Sequence, residues 1–327
     1  MKKSRIEYIR HGVQITLAIF LLYIGWQFYQ FVMYYEGQVS TLSSRPPSVE
    51  GFLPISALMS LRLWLGSGML DPIHPAGLVI FIAVLLSAFL VRKGFCGWLC
   101  PIGALSEALA IIGEKIGVQL AMPKALDVIL KAIKYLLLGF FVKIIFLDMP
   151  VQAVYLFLQN DYNKISDVKM LKFFLNLSGA GLAVLVILVV ASVFFKHFWC
   201  RYLCPYGALL GVLALASPVA VKRQQSYCID CKKCDQACPS ALRVSNMKRV
   251  YSPECVGCLN CVDVCPKEKA LEIRLGKWSI SSRVFGAMVM AIFFGIILWA
   301  KTYGYWETSI TLEEYSKLIP LSRFLGH

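Results

Sequence analysis

The twelve cysteines of this 327-residue chain all lie between Cys96 and Cys265, and each belongs to one of four short motifs. A secreted fold held together by disulfides usually has cysteine at roughly 8–10% of its residues or more. Twelve cysteines in 327 residues fall well short of that density, and none of them lies outside a motif. The pattern therefore excludes a disulfide scaffold and predicts sites at which several thiolates bind one metal group.

Eight of the cysteines form two runs of the same pattern, Cys-x-x-Cys-x-x-Cys-x-x-x-Cys-Pro. This spacing is typical of bacterial domains with two [4Fe–4S] clusters, in which the fourth cysteine of each run binds the other cluster. The predicted ligands of the first cluster are Cys228, Cys231, Cys234 and Cys265, and those of the second are Cys255, Cys258, Cys261 and Cys238. A zinc ribbon needs only two Cys-x-x-Cys pairs, so zinc does not account for two complete runs.

Long apolar runs predict that much of the remaining chain lies in a membrane. Hydrophobic residues make up 58% of the chain and charged residues 16%, with a mean hydropathy of +0.66, whereas soluble domains carry about 25% charged residues. A helix needs about 20 apolar residues to cross a bilayer. The predicted spans are residues 12–33, 75–91, 128–147, 173–195 and 284–300. Three shorter segments, 55–65, 102–112 and 206–216, are predicted as interfacial or partial helices.

The net charge of +14 indicates orientation in the membrane rather than nucleic-acid binding. Lys and Arg are concentrated in the cytoplasmic loops of membrane proteins. We therefore expect the amino terminus and the Cys-rich segment on the cytoplasmic side of a bacterial inner membrane, and the carboxy-terminal tail outside. Residues 219–277 carry 11 Lys/Arg and 6 Asp/Glu, an excess of positive charge that balances two anionic clusters.

An eleven-residue motif occurs twice in the membrane segment. Residues 95–105 and 199–209 match at seven of eleven positions, and both contain Cys-x-x-x-Cys-Pro. Because proline is favoured at the first position of a helix, Cys100 and Cys204 are predicted to cap two short helices, where the helix dipole lowers the pKa of a thiol. The repeat is predicted to bring together four thiolates, those of Cys96, Cys100, Cys200 and Cys204. A third iron–sulfur cluster, a pair of redox-active dithiols and another metal remain open as the role of this group.

These patterns predict a mainly α fold: a polytopic helical membrane protein with about five spans, an internal parallel repeat and an inserted two-cluster ferredoxin-like domain. Parallel repeats in membrane proteins pack around an axis along the membrane normal, so we expect the two Cys-Pro motifs to meet. The predicted domains are a membrane domain at 1–218, the ferredoxin-like domain at 219–277, and a last span with a short outer tail at 278–327.

The order of the motifs, two Cys-x-x-x-Cys-Pro sequences followed by two ferredoxin runs, resembles the membrane polyferredoxin family over roughly residues 76–275. That family includes the membrane quinol-dehydrogenase subunit of periplasmic nitrate reductase and the carboxy-terminal half of the nitrous-oxide-reductase regulator. The resemblance implies a subunit that passes electrons between the quinone pool and a partner redox protein, such as a periplasmic or membrane reductase. The alternative is an assembly or regulatory factor for a metalloenzyme, acting as a metal or thiol reductase.

A quinone site is expected beside the cysteine motifs. The candidate residues are Trp98, Glu107, His197 and Tyr202. Glu107, on the first short helix, would accept a quinol proton if it is buried, and its alternative is a solvated helix face. Anchoring at the membrane interface is the alternative for His197 and Tyr202. Lys131 and Lys134 share one face of the third predicted span. We expect them to extend to the interface, and the alternative is that they bind a cluster or a lipid headgroup.

Overall fold

The structure is a computed structural model that describes residues 5–267 and 269–324. The fold is mostly helical, as predicted. The helices are α1 (Arg5–Tyr35), α2 (Pro54–Ser67), α3 (Pro75–Val91), α4 (Gly94–Trp98), α5 (Pro101–Lys115), α6 (Lys124–Val142), α7 (Val151–Gln159), α8 (Asp161–Lys164), α9 (Ser166–Leu175), α10 (Gly179–Phe194), α11 (Pro205–Leu215), α12 (Lys233–Gln236), α13 (Asn260–Asp263), α14 (Ser282–Thr302) and α15 (Leu312–Leu321). The strands are β1 (Val219–Arg223), β2 (Leu271–Leu275) and β3 (Trp278–Ile280).

Among the residues that the structure describes, two helices are long and apolar enough to cross a membrane, namely α1 from Ile6 onwards and α14. A third candidate is the pair formed by α9 and α10. Helix α3 coincides with the predicted second span, but at 17 residues it is shorter than these. Helix α6 continues as a π-helix at Lys143–Asp148 and so covers the predicted third span. The number of five spans stays a prediction.

The predicted fourth span, residues 173–195, is not one continuous helix in the structure. Helices α9 and α10 are separated by three residues and bent by 82°. Ser178 causes the new start, because its side-chain oxygen accepts a hydrogen bond from the Gly181 N–H at 3.1 Å. A serine in this position is an N-cap, which ends one helix path and begins another.

The two Cys-Pro motifs begin two short helices, as the sequence predicts. Cys100 is the N-cap of α5 and Cys204 is the N-cap of α11, and each is followed by proline in the first turn. The Gly207 N–H donates to the sulfur of Cys204 at 3.2 Å. The thiol thus satisfies one of the amide groups that a helix leaves unpaired at its N-terminus.

The ferredoxin-like segment contains a three-stranded antiparallel sheet in the order β1-β2-β3. Val219 pairs with Leu275 at one end of the β1–β2 ladder, and Arg223 pairs with Leu271 at the other. The first and last long strands of the segment therefore lie side by side. Both cysteine runs and the short helices α12 and α13 are contained between them in the chain.

The chain divides into two compact units. The first comprises Met1–Ala18, Val84–Leu138 and Ala183–Phe293, and it contains all twelve cysteines. The second comprises Ile19–Ala83, Gly139–Leu182 and Phe294–His327. The second unit has its own apolar core around the fully buried Phe31. The domain boundaries at 218/219 and 277/278 stay predictions.

Helix α5 lies very close to the end of α10 at Gly113. A Cβ atom built on Gly113 would lie 2.0 Å from the carbonyl oxygen of Val193. We predict that Gly113→Ala lowers the free energy of unfolding by about 1–3 kcal/mol, because the backbones must separate. The measurement is thermal unfolding in detergent. The control is Gly139→Ala in α6, where nothing lies within 4 Å and a small gain from helix propensity is expected. Equal melting temperatures for both variants would contradict the prediction.

Candidate functional site

One cavity of the first unit is lined by the cysteines of one predicted cluster. Its walls include Cys228, Cys231, Cys234 and Cys265. The Arg223 guanidinium donates to the sulfur of Cys228 at 3.4 Å. Of the twelve cysteines, all of which the structure describes, Cys231 is the exposed one. This set of four therefore surrounds one space close to the surface.

A second cavity is lined by Cys238, Cys255, Cys258 and Cys261. The Leu242 N–H donates to the sulfur of Cys238 at 3.4 Å. In both cavities three cysteines come from one run and the fourth from the other, which is the grouping that the crossed pattern predicts. Hydrogen bonds to sulfur and burial are the means by which a protein sets the reduction potential of a cluster. That these thiolates bind clusters is part of the proposal below.

The two runs follow the same backbone path around their cavities. Asp230 and Lys232, on either side of Cys231, have φ angles of +51° and +56°. Gly257 and Leu259, on either side of the corresponding Cys258, have φ angles of +63° and +66°. Three of these four are not glycine, and such residues rarely adopt this conformation. Left-handed residues at such turns form nests of N–H groups, which bind anions including iron–sulfur clusters.

The four cysteines of the repeat are also brought together. The thiol of Cys100 interacts electrostatically with those of Cys96, Cys200 and Cys204. Ser106, on the helix of the first copy, lies 3.5 Å from the sulfur of Cys200 in the second copy. Within the residues that the structure describes, no three His, Cys, Asp or Glu side chains are arranged to hold a single metal ion. In a [4Fe–4S] cluster the four thiolates hold a larger group together.

The prediction that capping lowers the pKa of these thiols is wrong for Cys100. Burial raises the pKa of the free Cys100 thiol well above its usual value, and the neighbouring Cys96 and Cys200 raise it further. The hydrogen bond from the Gly103 N–H acts in the opposite direction but is weaker. Desolvation therefore outweighs the helix dipole in the absence of a bound cation.

Three buried cations surround the segment that leads into the second cysteine run. Arg92 donates to the Ser252 carbonyl at 3.1 Å and Lys93 to the Pro253 carbonyl at 3.4 Å. Lys134 forms an ion pair of 2.5 Å with Glu254. The exposed fraction is 2% for Arg92, 2% for Lys93 and 0% for Lys134. The expectation that Lys134 extends to the membrane interface is therefore wrong.

Glu107 is the centre of a buried polar cluster, so a solvated face is excluded for it. Arg10 binds both of its carboxylate oxygens. His11 and Gln14 contact the same carboxylate at 3.4 and 3.3 Å. Burial by itself raises the pKa of Glu107, but the hydrogen bonds from Arg10 and His11 and the charge of Arg10 hold it below its ordinary value.

His197 and Glu107 line the same cavity of the first unit. His197 is buried, and its Nε2 atom has no hydrogen-bond partner among the described residues. Burial lowers the pKa of His197 to about 4, so the imidazole is neutral. The cavity wall continues through Pro239 and Asn260, which are neighbours of cysteines lining the second cysteine cavity.

The other two quinone candidates are placed elsewhere in the first unit. Trp98 is buried, and its indole N–H donates to the carbonyl of Gly257 at 3.1 Å. Tyr202 is buried, and its hydroxyl donates to Asp127 at 2.7 Å. Neither belongs to the described lining of the cavity that holds Glu107. Interfacial anchoring is therefore wrong for Tyr202, as it is for His197.

The sequence pattern did not single out Arg10, which lies two residues ahead of the first predicted span. In the structure α1 begins before Arg10, and the side chain is 1% exposed. Arg10 and Gln14 lie one helical turn apart, and both contact the carbonyl of Gly97. The available signal was this pair of polar residues at a spacing of four in an otherwise apolar helix.

Two families match the chain. The 4Fe-4S binding domain family matches residues 73–119 and 177–224, which contain the two Cys-Pro motifs. The 4Fe-4S dicluster domain family matches residues 220–266, which contain the two longer runs. No solved structure matches the chain.

Several proteins of known sequence are similar to the chain. It is 40% identical to "Putative electron transport protein YccM" of Escherichia coli, over 97% of this chain and 91% of that protein. It is 33% identical to "Protein NirI" of Paracoccus denitrificans, over 75% of this chain and 33% of that protein. It is 28% identical to "Ferredoxin-type protein NapH" of Haemophilus influenzae, over 57% of this chain and 64% of that protein.

The two domain matches and the helical fold define a class of iron–sulfur electron-transfer proteins with apolar helices. The chain belongs to the membrane polyferredoxin family.

The ion pair between Lys134 and Glu254 gives a direct test of the buried charges. Lys134→Met leaves Glu254 buried without its cation, and we expect the free energy of unfolding to fall by about 3–5 kcal/mol. Adding Glu254→Gln should recover part of this loss. Lys131→Met on the same helix is the control, because its pair with Asp127 is more exposed (side chains 20% and 15%) and such pairs contribute about 1 kcal/mol or less. Denaturant titration in detergent measures all of these variants, and a similar loss for both lysines would refute the prediction.

Proposed function

We propose that the protein is a membrane-bound quinol dehydrogenase subunit that passes electrons between the quinone pool and a partner redox protein. The observation that carries this proposal is the grouping of all twelve cysteines of one unit into three sets of four. Two sets line separate cavities, and the third lies where the two Cys-Pro motifs meet. The inner membrane of a bacterium is the proposed location, with the ferredoxin-like segment in the cytoplasm.

The residues around the first two sets fit [4Fe–4S] clusters. Each cavity offers four thiols together with hydrogen-bond donors aimed at sulfur, from Arg223 in one and Leu242 in the other. When bound, the two clusters supply two one-electron acceptors, which matches the two electrons that oxidation of one quinol releases. The two protons of the quinol pass to water. The protein contributes burial, hydrogen bonds and the proximity of the two sets.

The repeat cysteines are proposed to hold a third cluster, because the charges around them require an anion. Lys93 and Lys134 act electrostatically on both Cys96 and Cys200. With Arg92 they form three buried cations, and the described residues provide one paired carboxylate, Glu254. This leaves about two positive charges, and an unpaired buried charge is costly. Four thiolates around an oxidised [4Fe–4S] core carry about two negative charges, which closes the balance.

The exposed position of Cys231 supports a partner that docks at the first cysteine set. Electron transfer to a separate protein needs a redox centre close to the surface, and the first set meets that need. The relatives named for electron transport and as ferredoxin-type proteins favour the same role. The proposed partner at this surface is a membrane reductase system or an electron carrier on the cytoplasmic side, and a periplasmic reductase would receive its electrons through a further membrane component.

Iron content tests the assignment of the three sets. Purified protein with three clusters should contain about twelve irons per chain, and with two clusters about eight. Cys96→Ser with Cys200→Ser should remove about four irons and leave the paramagnetic signals of the two ferredoxin-type clusters in place. The matched variant Cys228→Ser with Cys234→Ser should instead remove one of those signals. If the first variant keeps the iron content of the native protein, the repeat cysteines do not hold a third cluster. If the native protein contains about four irons per chain, the assignment of two ferredoxin-type clusters is wrong.

Anaerobic mixing with a quinol tests the substrate. We expect decylubiquinol or menadiol to reduce the clusters of the purified protein, observed by bleaching of their visible absorption. The Cys228→Ser, Cys234→Ser variant should stop transfer onward to an acceptor protein that docks at the first set. Absence of reduction by either quinol, together with reduction of a copper(II) or disulfide target by the pre-reduced protein, would favour the assembly factor instead.

A further inference from the structure

We propose that the cavity shared by Glu107 and His197 is the binding site for the quinone headgroup, with His197 as its hydrogen-bonding residue. This inference rests on the proposed quinol-linked function and adds the location of the substrate. The cavity has a volume of about 560 Å³, which is within the usual range for small-molecule sites of roughly 300–1,000 Å³. Ten of its fifteen lining residues are polar or charged, and Ala110, Ile111 and Val264 are among the five that provide apolar wall.

His197 lines the cavity, and its Nε2 atom is buried and lacks a partner among the described residues, so a headgroup would reach it after a local shift of the cavity wall. A buried polar atom without a partner costs free energy, and a ligand that pairs with it recovers that cost. A neutral imidazole carries one donor nitrogen and one acceptor nitrogen, and the tautomer decides which is which. His197 can therefore accept a hydrogen bond from a quinol hydroxyl or donate one to a quinone carbonyl. Both redox forms of a quinone present such a group, and the hydrocarbon tail presents none.

Arg10 holds the carboxylate of Glu107 in place in the cavity wall. Arg10 binds Glu107 through both guanidinium ends and also contacts Asn260 Oδ1 at 3.4 Å. Gln14 donates to Glu107 at 3.3 Å. These contacts hold the carboxylate in one orientation, so that it is a positioning residue for the cavity wall beside His197. Because Arg10 already pairs with both oxygens of this carboxylate, Glu107 does not need a hydrogen bond from the ligand.

The helix that forms one wall is suited to a substrate that arrives from lipid. The side chains of Ile102, Leu105 and Ile112 on α5 are 44%, 53% and 49% exposed. The opposite face of α5, which includes Glu107 and Ala110, is buried. An amphipathic helix with large exposed apolar residues lies at a membrane interface. The cavity is therefore separated from that interface by the thickness of one helix.

The cavity also lies next to the second cysteine set. Pro239 and Asn260 line it, and they are direct neighbours of Cys238 and Cys261. The charges of Arg10 and Glu107 act on the thiol of Cys258. A headgroup in the cavity would thus be adjacent to the ligands of the second cluster. This adjacency gives the electrons a short path without any further cofactor.

Binding of a quinone analogue to the purified full-length protein tests the site apart from its activity. Decylubiquinone and menadione are titrated, and their dissociation constants are measured by quenching of protein fluorescence. His197→Phe keeps the ring volume but removes both nitrogens, and we expect the affinity to fall about tenfold, the usual effect of one hydrogen bond. His197→Gln should restore part of it. Ile111→Trp fills the cavity and should weaken binding further. Tyr155→Phe, in the second unit and outside the cavity lining, is the control and should bind like the native protein.

A photoreactive azidoquinone gives an independent location. Labelled peptides should include residues 105–115 of α5 or residues 236–239, and His197→Phe should reduce the labelling. Intact iron–sulfur absorption in each variant shows that folding is preserved. If the native protein binds the analogues and is reduced by quinol, but His197→Phe and Ile111→Trp bind as tightly, the location is wrong and the proposed function stands. If the native protein neither binds a quinone nor is reduced by quinol, both the proposed site and the proposed function are wrong.

Discussion

The arrangement of the redox centres depends on how the helices of the first unit hold residues 252–260. Arg92, Lys93 and Lys134 reach this segment through carbonyl oxygens and one carboxylate. The indole N–H of Trp98 reaches it at Gly257. Glycines permit the close approach, because a Cβ on Gly97 or on Gly211 would lie 2.6 Å from a carbonyl oxygen of the segment. Three cysteines of the second set lie within or directly beside residues held in this way, so the contacts fix the second set against the repeat cysteines.

These contacts explain why so many cations are buried in an apolar chain. A buried ammonium or guanidinium group is tolerated when carbonyl oxygens and anions surround it. Carbonyl oxygens of residues 252–253 solvate Arg92 and Lys93 in part, and Glu254 neutralises Lys134. Thiolate-bound clusters are the remaining source of negative charge in the proposal. The same reasoning explains the free thiol of Cys100, whose pKa is raised by burial: the site favours thiolates once a positive iron–sulfur core compensates them.

The sequence predicted features that depend on local spacing. The crossed grouping of the eight ferredoxin-type cysteines follows from a fixed interval pattern, and the caps at Cys100 and Cys204 follow from the proline after each. It missed features that depend on contacts between distant segments. Arg10 and Glu107 are 97 residues apart, and Lys134 and Glu254 are 120 residues apart. Nothing in the local pattern distinguishes such partners from residues that orient the chain in a membrane. The break before α10 was missed because apolar composition masked the local cap formed by Ser178.

In the proposed function, the order of the sites within the first unit sets the routes that an electron can take through the protein. The proposed quinone cavity is lined by Pro239 and Asn260, the direct neighbours of Cys238 and Cys261 in the second set. Residues 252–258, which include two cysteines of that set, also contact the helices around the repeat cysteines. The first set contains the exposed Cys231 and does not share a wall with the quinone cavity in its described lining. Both sets nevertheless have direct neighbours in the cavity wall, because Asn260 precedes Cys261 and Val264 precedes Cys265. In the proposed function an electron from the cavity therefore has two routes, one through the first set to the surface and one through the second set to the repeat cysteines. The buried cations Lys93 and Lys134 would stabilise added negative charge on the second of these routes.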